Sequence, residues 1–131
     1  MLNEVKIRSL YEQVRTQLYR MIPEKWDKVY LYASFLEQVN GLKTGEMYFY
    51  YCPTGILKKN YINVYEIPAK FNIDEDEYMV IVNQLYQTLK QLREEFKQEE
   101  LWSNLTIYIE GTYFRVHYVY EDLLRFSIFE L

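Results

Sequence analysis

The chain has 131 residues, 50% of them hydrophobic, enough apolar material for one ordinary core and too little length for two. A formal net charge of -4 gives the surface as a whole no pull on phosphate backbones, which disfavours direct nucleic-acid binding; it would steer a basic protein partner, but by itself it is first explained as the mild acidity that keeps many proteins in solution. The single cysteine, Cys52, excludes an internal disulfide framework, and neither a signal-peptide pattern nor a membrane-spanning stretch is present, so one cytoplasmic domain over residues 1–131 is expected.

From Leu2 to Ile22, apolar Ile7, Leu10, Val14, Leu18 and Met21 recur at steps of three and four, which predicts an amphipathic helix that Pro23 must end. Alternation then takes over. Val29, Leu31, Ala33 and Phe35 face one side of a predicted strand, and Lys28, Tyr30, Tyr32 and Ser34 the other. Asn40-Gly41 and Gly45 mark a loop before a second strand over about Glu46 to Cys52, with Met47, Phe49 and Tyr51 opposite Tyr48, Tyr50 and Cys52. A third strand is expected from about Asn60 to Ile67, ending before Pro68, with Ile62 and Val64 on one side and Tyr61, Asn63 and Tyr65 on the other.

Asp74 and Glu77 form a capping-box pattern at the start of a long helix whose predicted buried stripe is Tyr78, Ile81, Val82, Leu85, Leu89, Leu92 and Phe96. Leu105, Ile107 and Ile109 then alternate with Thr106, Tyr108 and Glu110, and a turn at Gly111 leads to Phe114, Val116, Tyr118 and Tyr120. The expected fold is α+β: an antiparallel sheet in the order α-β-β-β-α-β-β with two helices packed on one face. Fifteen tyrosines are the unusual feature of the composition, and the alternation places Tyr30, Tyr32, Tyr48, Tyr50, Tyr65 and Tyr108 on the wet face of that sheet.

The parts of an enzyme are missing. His117 stands alone in an alternating strand, and Cys52 ends a strand beside Pro53 as a small semi-buried hydrophobe. No Cys/His cluster has zinc-ligand spacing, and no glycine-rich phosphate loop occurs, so neither a metal nor a cofactor is expected. The acidic runs at Asp74 to Glu77, Glu94-Glu95 and Glu99-Glu100 are accounted for by helix ends and solvated helix surface. Tyr120-Glu121-Asp122 either caps the next turn or presents acid to a basic partner. Aromatics stacked on a sheet also hold single-stranded nucleic acids, but that mechanism pairs them with a basic groove. Here only Lys28, Lys43, Lys58 and Lys59 lie near the first strands. Cross-strand tyrosine pairing that stabilises an exposed sheet and protein binding through it both stay open.

Six ordered segments resemble one known family: Met21-Ile22-Pro23-Glu24-Lys25-Trp26-Asp27-Lys28-Val29-Tyr30, Tyr48-Phe49-Tyr50-Tyr51, Ile67-Pro68 with Phe71-Asn72-Ile73, Leu92-Arg93-Glu94-Glu95-Phe96, Trp102-Ser103-Asn104-Leu105-Thr106 and Tyr120-Glu121-Asp122-Leu123. They look like the YezG-type immunity proteins. The resemblance implies an antitoxin in the cytoplasm of a Gram-positive bacterium that binds and inhibits the nuclease domain of an LXG-type or type VII-secreted toxin, without catalysis or cofactor. After Leu123 the chain departs from the family pattern, which continues into further aromatic and basic sequence, whereas this chain runs to Leu131. The alternative is a structural or self-associating interaction module without toxin-neutralising activity. From charge and side-chain direction, the candidate partner-binding residues are Tyr30, Tyr32, Tyr48, Tyr50, Glu94, Glu95, Glu121 and Asp122.

Overall fold

The computed structural model describes residues 1–37, 43–55 and 61–120. The first helix, α1 (Glu4–Met21), starts where the Asn3 side chain accepts the Lys6 amide at 3.1 Å and ends just before Pro23. Its stripe of Ile7, Leu10, Val14, Leu18 and Met21 is buried throughout, as the spacing requires.

Strand β1 (Trp26–Glu37) pairs antiparallel with β2 (Lys43–Pro53) on one side and with β4 (Asn104–Glu110) on the other. With β3 (Ile62–Asn63) beyond β2, and β5 (Tyr113–Val119) beyond β4, the sheet is antiparallel in the order β3-β2-β1-β4-β5. Because β1 is central, its inward residues Val29, Leu31 and Ala33 are completely buried, as are Phe49 and Tyr51 of β2 and Leu105, Ile107 and Ile109 of β4. The inward row of edge strand β5, comprising Phe114, Val116 and Tyr118, is only half-buried.

The third strand departs from expectation, since it stops after two residues. The Asn63 side chain accepts the Tyr65 amide and Glu66 accepts the Asn63 amide, both at 2.9 Å, and this reciprocal cap turns the chain into a 3-10 turn at Val64–Glu66. Pro68, in the first turn of α2 (Ile67–Phe71), suits a helix start, and Asn72 ends that helix in the left-handed region at φ 54°.

Helix α3 (Glu75–Glu94) begins as predicted, with Asp74 accepting the Glu77 amide at 2.9 Å. Its stripe is Tyr78, Val82, Leu85, Thr88, Leu89 and Leu92, continued by Phe96. Ile81, assigned to that stripe by spacing, is instead 38% exposed. At about 100° per residue, Ile81 and Thr88 both fall on the same margin of the stripe set by 78, 82, 85, 89 and 92, so the neighbouring element decides: Thr88 meets Gln13 of α1 and is buried, and Ile81 is left exposed. Thr88 tolerates burial because its hydroxyl donates to the Gln84 carbonyl and accepts from Gln13 on α1, each at 3.2 Å. Helices α1 and α3 lie side by side on the inward face of the sheet. Trp102 closes one end of the core against the rings of Tyr118, Phe35 and Phe96, at 5.1, 5.6 and 6.1 Å.

Candidate functional site

The helices cover one face of the sheet, and the strand register fixes what the opposite face carries. One row across the strands reads Tyr50, Tyr30, Tyr108 and Arg115, and the next reads Tyr48, Tyr32, Thr106 and His117. Beyond them, Glu46 and Ser34 lie at one end and Lys28, Glu110 and Tyr113 at the other. Rings on adjacent strands are in contact. Tyr32 lies 5.2 Å from Tyr48, which meets Tyr50 edge-on at 5.6 Å. Tyr30 lies 4.8 Å from Tyr108 and 5.9 Å from Tyr61, and Tyr108 is 5.9 Å from Tyr113. Such pairs contribute about 0.2–1 kcal/mol each to a sheet, and they also hold each ring in place.

The two sides of the sheet treat their phenols differently. On the helix side Tyr51 donates to Glu24 at 2.5 Å, Tyr78 to the Met21 carbonyl at 3.0 Å and Tyr86 to the Ser34 carbonyl at 3.3 Å, while Tyr11 and Tyr118 share a hydrogen bond. On the outer face, Tyr108 is bonded to Glu110, and the hydroxyls of Tyr30, Tyr32, Tyr48, Tyr50, Tyr61 and Tyr113 have no partner among the described residues. Tyr30 and Tyr50 are 41% and 39% exposed, wet enough to leave those hydroxyls to solvent or to another molecule. The hydrogen bond to Glu110, which favours the protonated phenol, pushes the Tyr108 pKa up to about 12, with desolvation adding to it. Desolvation, reinforced by the neighbouring Tyr50, Tyr32 and Glu46, raises that of Tyr48.

The structure brings together four of the expected residues, Tyr30, Tyr32, Tyr48 and Tyr50, and separates them from two others. Glu94 and Glu95 end α3, in the helix layer on the far side of the sheet, so they do not share a patch with the tyrosines. Glu121 and Asp122, together with Asn40, Gly41, Lys58 and Lys59, lie outside the described residues. Tyr65 is not part of the outer row: it sits in the 3-10 turn with its hydroxyl donating to the Met47 carbonyl at 2.6 Å. Tyr113 joins the face unannounced, although its alternation with Phe114 and Val116 is the signal that places it there.

Elsewhere the described residues offer little chemistry. An open cleft of about 480 Å³ between Tyr19, Pro23 and Trp26 contains one carboxylate, Glu24, already engaged by Tyr51. Cys52 is buried, and His117 is exposed on β5 opposite Thr106. Among the described residues no group of three or more His, Cys, Asp or Glu side chains could hold a metal ion, and no helix is long and apolar enough to cross a membrane.

Comparison with known proteins adds to this geometry. Residues 7–130 match the family described as immunity protein YezG-like. The chain is 35% identical over 122 residues to immunity protein YezG of Bacillus spizizenii, covering 91% of this chain and 71% of that protein. It is 26% identical over 121 residues to immunity protein YezG of Bacillus subtilis, covering 90% and 76%. Similarity also extends to the type VII secretion system protein EsaG of Staphylococcus aureus, 31% identical over 98 residues, or 75% of this chain and 56% of that one.

Proposed function

The chain belongs to the YezG-like immunity protein family, and from that membership we propose that it acts as a single-domain immunity protein: it binds the nuclease domain of a secreted bacterial toxin, in the cytoplasm, and blocks its activity. The observation that carries the reading is the family match over nearly the whole chain, residues 7–130. Its likeness to a type VII secretion system protein supports a toxin exported by that route. Inhibition of this kind asks for a stable complementary surface and for no catalytic group. The ring-locked tyrosine face suits it, because tyrosine offers large amphipathic contact area at low conformational cost, and rings already held by neighbours lose little more freedom on binding.

The test is binding of the purified chain to a panel of nuclease domains from type VII-secreted toxins, with DNA cleavage read in the same tubes. Stoichiometric binding at about nanomolar strength, with cleavage abolished in proportion to occupancy, is the expected result. A folded chain that binds a domain and leaves cleavage untouched would contradict it.

A further inference from the structure

Two carboxylates frame the tyrosine face. Glu46 stands one outward step along β2 from Tyr48, and Glu110 one outward step along β4 from Tyr108, so they occupy diagonally opposite corners of the patch. Glu46 has no ion-pair partner among the described residues; Glu110 accepts from Tyr108 through Oε2, and its Oε1 has only Lys28, at 4.0 Å, which leaves that oxygen able to accept a further donor. Between the corners lie exposed Tyr30 and Tyr50 and half-buried Tyr48, whose phenol oxygens have no partner among the described residues. This combination matches one side chain better than any other. A guanidinium stacks flat on a tyrosine ring while its N–H fork donates to a carboxylate or a phenol oxygen, whereas the compact, strongly hydrated lysine ammonium does this poorly.

We infer that the outer face of the sheet, with Tyr30, Tyr48 and Tyr50 as stacking platforms and Glu46 and Glu110 as anchors at its ends, is the docking surface for an arginine-bearing protein surface. That the surface belongs to a toxin rests on the immunity reading; the chemistry of the face does not. Arg115, beside Tyr108 on edge strand β5, repels a second cation and confines the receptive area to β1, β2 and the Glu110 corner. Single-stranded nucleic acid uses the same stacking, but its phosphates meet Glu46 and Glu110 without a basic groove to hold them. The acids of α3 contact nothing that is docked here.

The experiment has two arms. In the first, the full chain labelled with ¹⁵N is titrated with hexa-arginine and with hexa-lysine. Hexa-arginine should shift amides of β1, β2 and β4 around the tyrosine rows and bind about fivefold tighter than hexa-lysine. Glu46→Lys and Tyr48→Thr should each remove that preference while the remaining spectrum stays native. Shifts centred on the acidic ends of α3, equal binding of the two peptides, tighter binding of a single-stranded oligonucleotide to the face, or a face already buried against a second copy in sedimentation would each overturn the inference.

In the second arm, a nuclease domain that the chain inhibits is tested against the same variants. Glu46→Lys and Tyr48→Thr should weaken binding at least about tenfold, and Glu94→Lys less than about twofold. The reverse order would overturn the inference while leaving the immunity reading intact. Inhibition of no domain would count against that reading, and the peptide arm would still decide the chemistry of the face.

Discussion

Gly45→Ala tests the packing that joins the long helix to the sheet. A Cβ at this position would lie 1.8 Å from the Tyr86 hydroxyl oxygen, 3.0 Å from its ring and 2.5 Å from the Ser34 carbonyl oxygen. The hydroxyl can swing away, at the loss of its 3.3 Å bond to Ser34, worth about 1 kcal/mol. The Ser34 carbonyl belongs to central strand β1, so relieving that contact moves backbone, and overpacking of this kind costs about 1–3 kcal/mol. Against these stands the gain of about 0.5–1 kcal/mol that alanine brings over glycine in a strand. The net is a loss of about 2 kcal/mol, or about 8 °C in Tm for a chain of this size. Chemical denaturation of Gly45→Ala, Tyr86→Phe and the double variant measures it. In the Tyr86→Phe background the alanine should cost about 1 kcal/mol less, because the closest contact is gone and the carbonyl contact remains. A Gly45→Ala protein within about 0.5 kcal/mol of the parent would refute this packing.

Leu85→Ala, at a fully buried position of α3, should cost about 2–5 kcal/mol in urea denaturation, against less than about 1 kcal/mol for Ile81→Ala on the exposed side of the same helix. Removing the α3 cap with Asp74→Ala should cost about 1 kcal/mol, and Asp74→Asn much less. Burial raises the pKa values of Tyr51, Tyr78 and Tyr118, helped by Glu24 at Tyr51 and by Tyr11 at Tyr118. These groups hold their protons in the folded chain after the unfolded chain has begun to release them, so their contribution is complete below about pH 10 and falls as pH rises above it. Denaturation midpoints should therefore decline from about pH 10 upward, and a midpoint unchanged to about pH 11 would contradict the burial of these phenols.

Most of the architecture was legible because each element announces itself by one dominant period. The α1 stripe and the alternation along β1, β2 and β4 match the burial pattern except at Ser34 and Cys52, which alternation assigns to the outer face and which are buried near the ends of their strands. The third strand is shorter than its pattern suggests: Ile62 and Val64 alternate like a strand, but the decisive feature is the pairing of Asn63 with Glu66, a cap spanning only three residues. At Ile81 the difficulty was angular: a helix stripe is about 100° wide, and residues at its margin are settled by the neighbouring element. The site was half legible. Alternation assigned Tyr30, Tyr32, Tyr48 and Tyr50 to one face, but only the register shows that Tyr50 and Tyr108 flank Tyr30 in one row. Charge alone could not show that Glu94 and Glu95 lie on the other side of the sheet, because sign carries no information about layer.

The most direct test of the immunity reading is protection in a living cell. A nuclease domain from a type VII-secreted toxin is expressed in a host that lacks any immunity gene, with and without this chain, and survival and genomic DNA integrity are followed. The chain should restore growth against at least one such domain and co-purify with it as a stoichiometric complex. A folded, well-expressed chain that protects against none of a broad panel, and is recovered free of each domain, would contradict it.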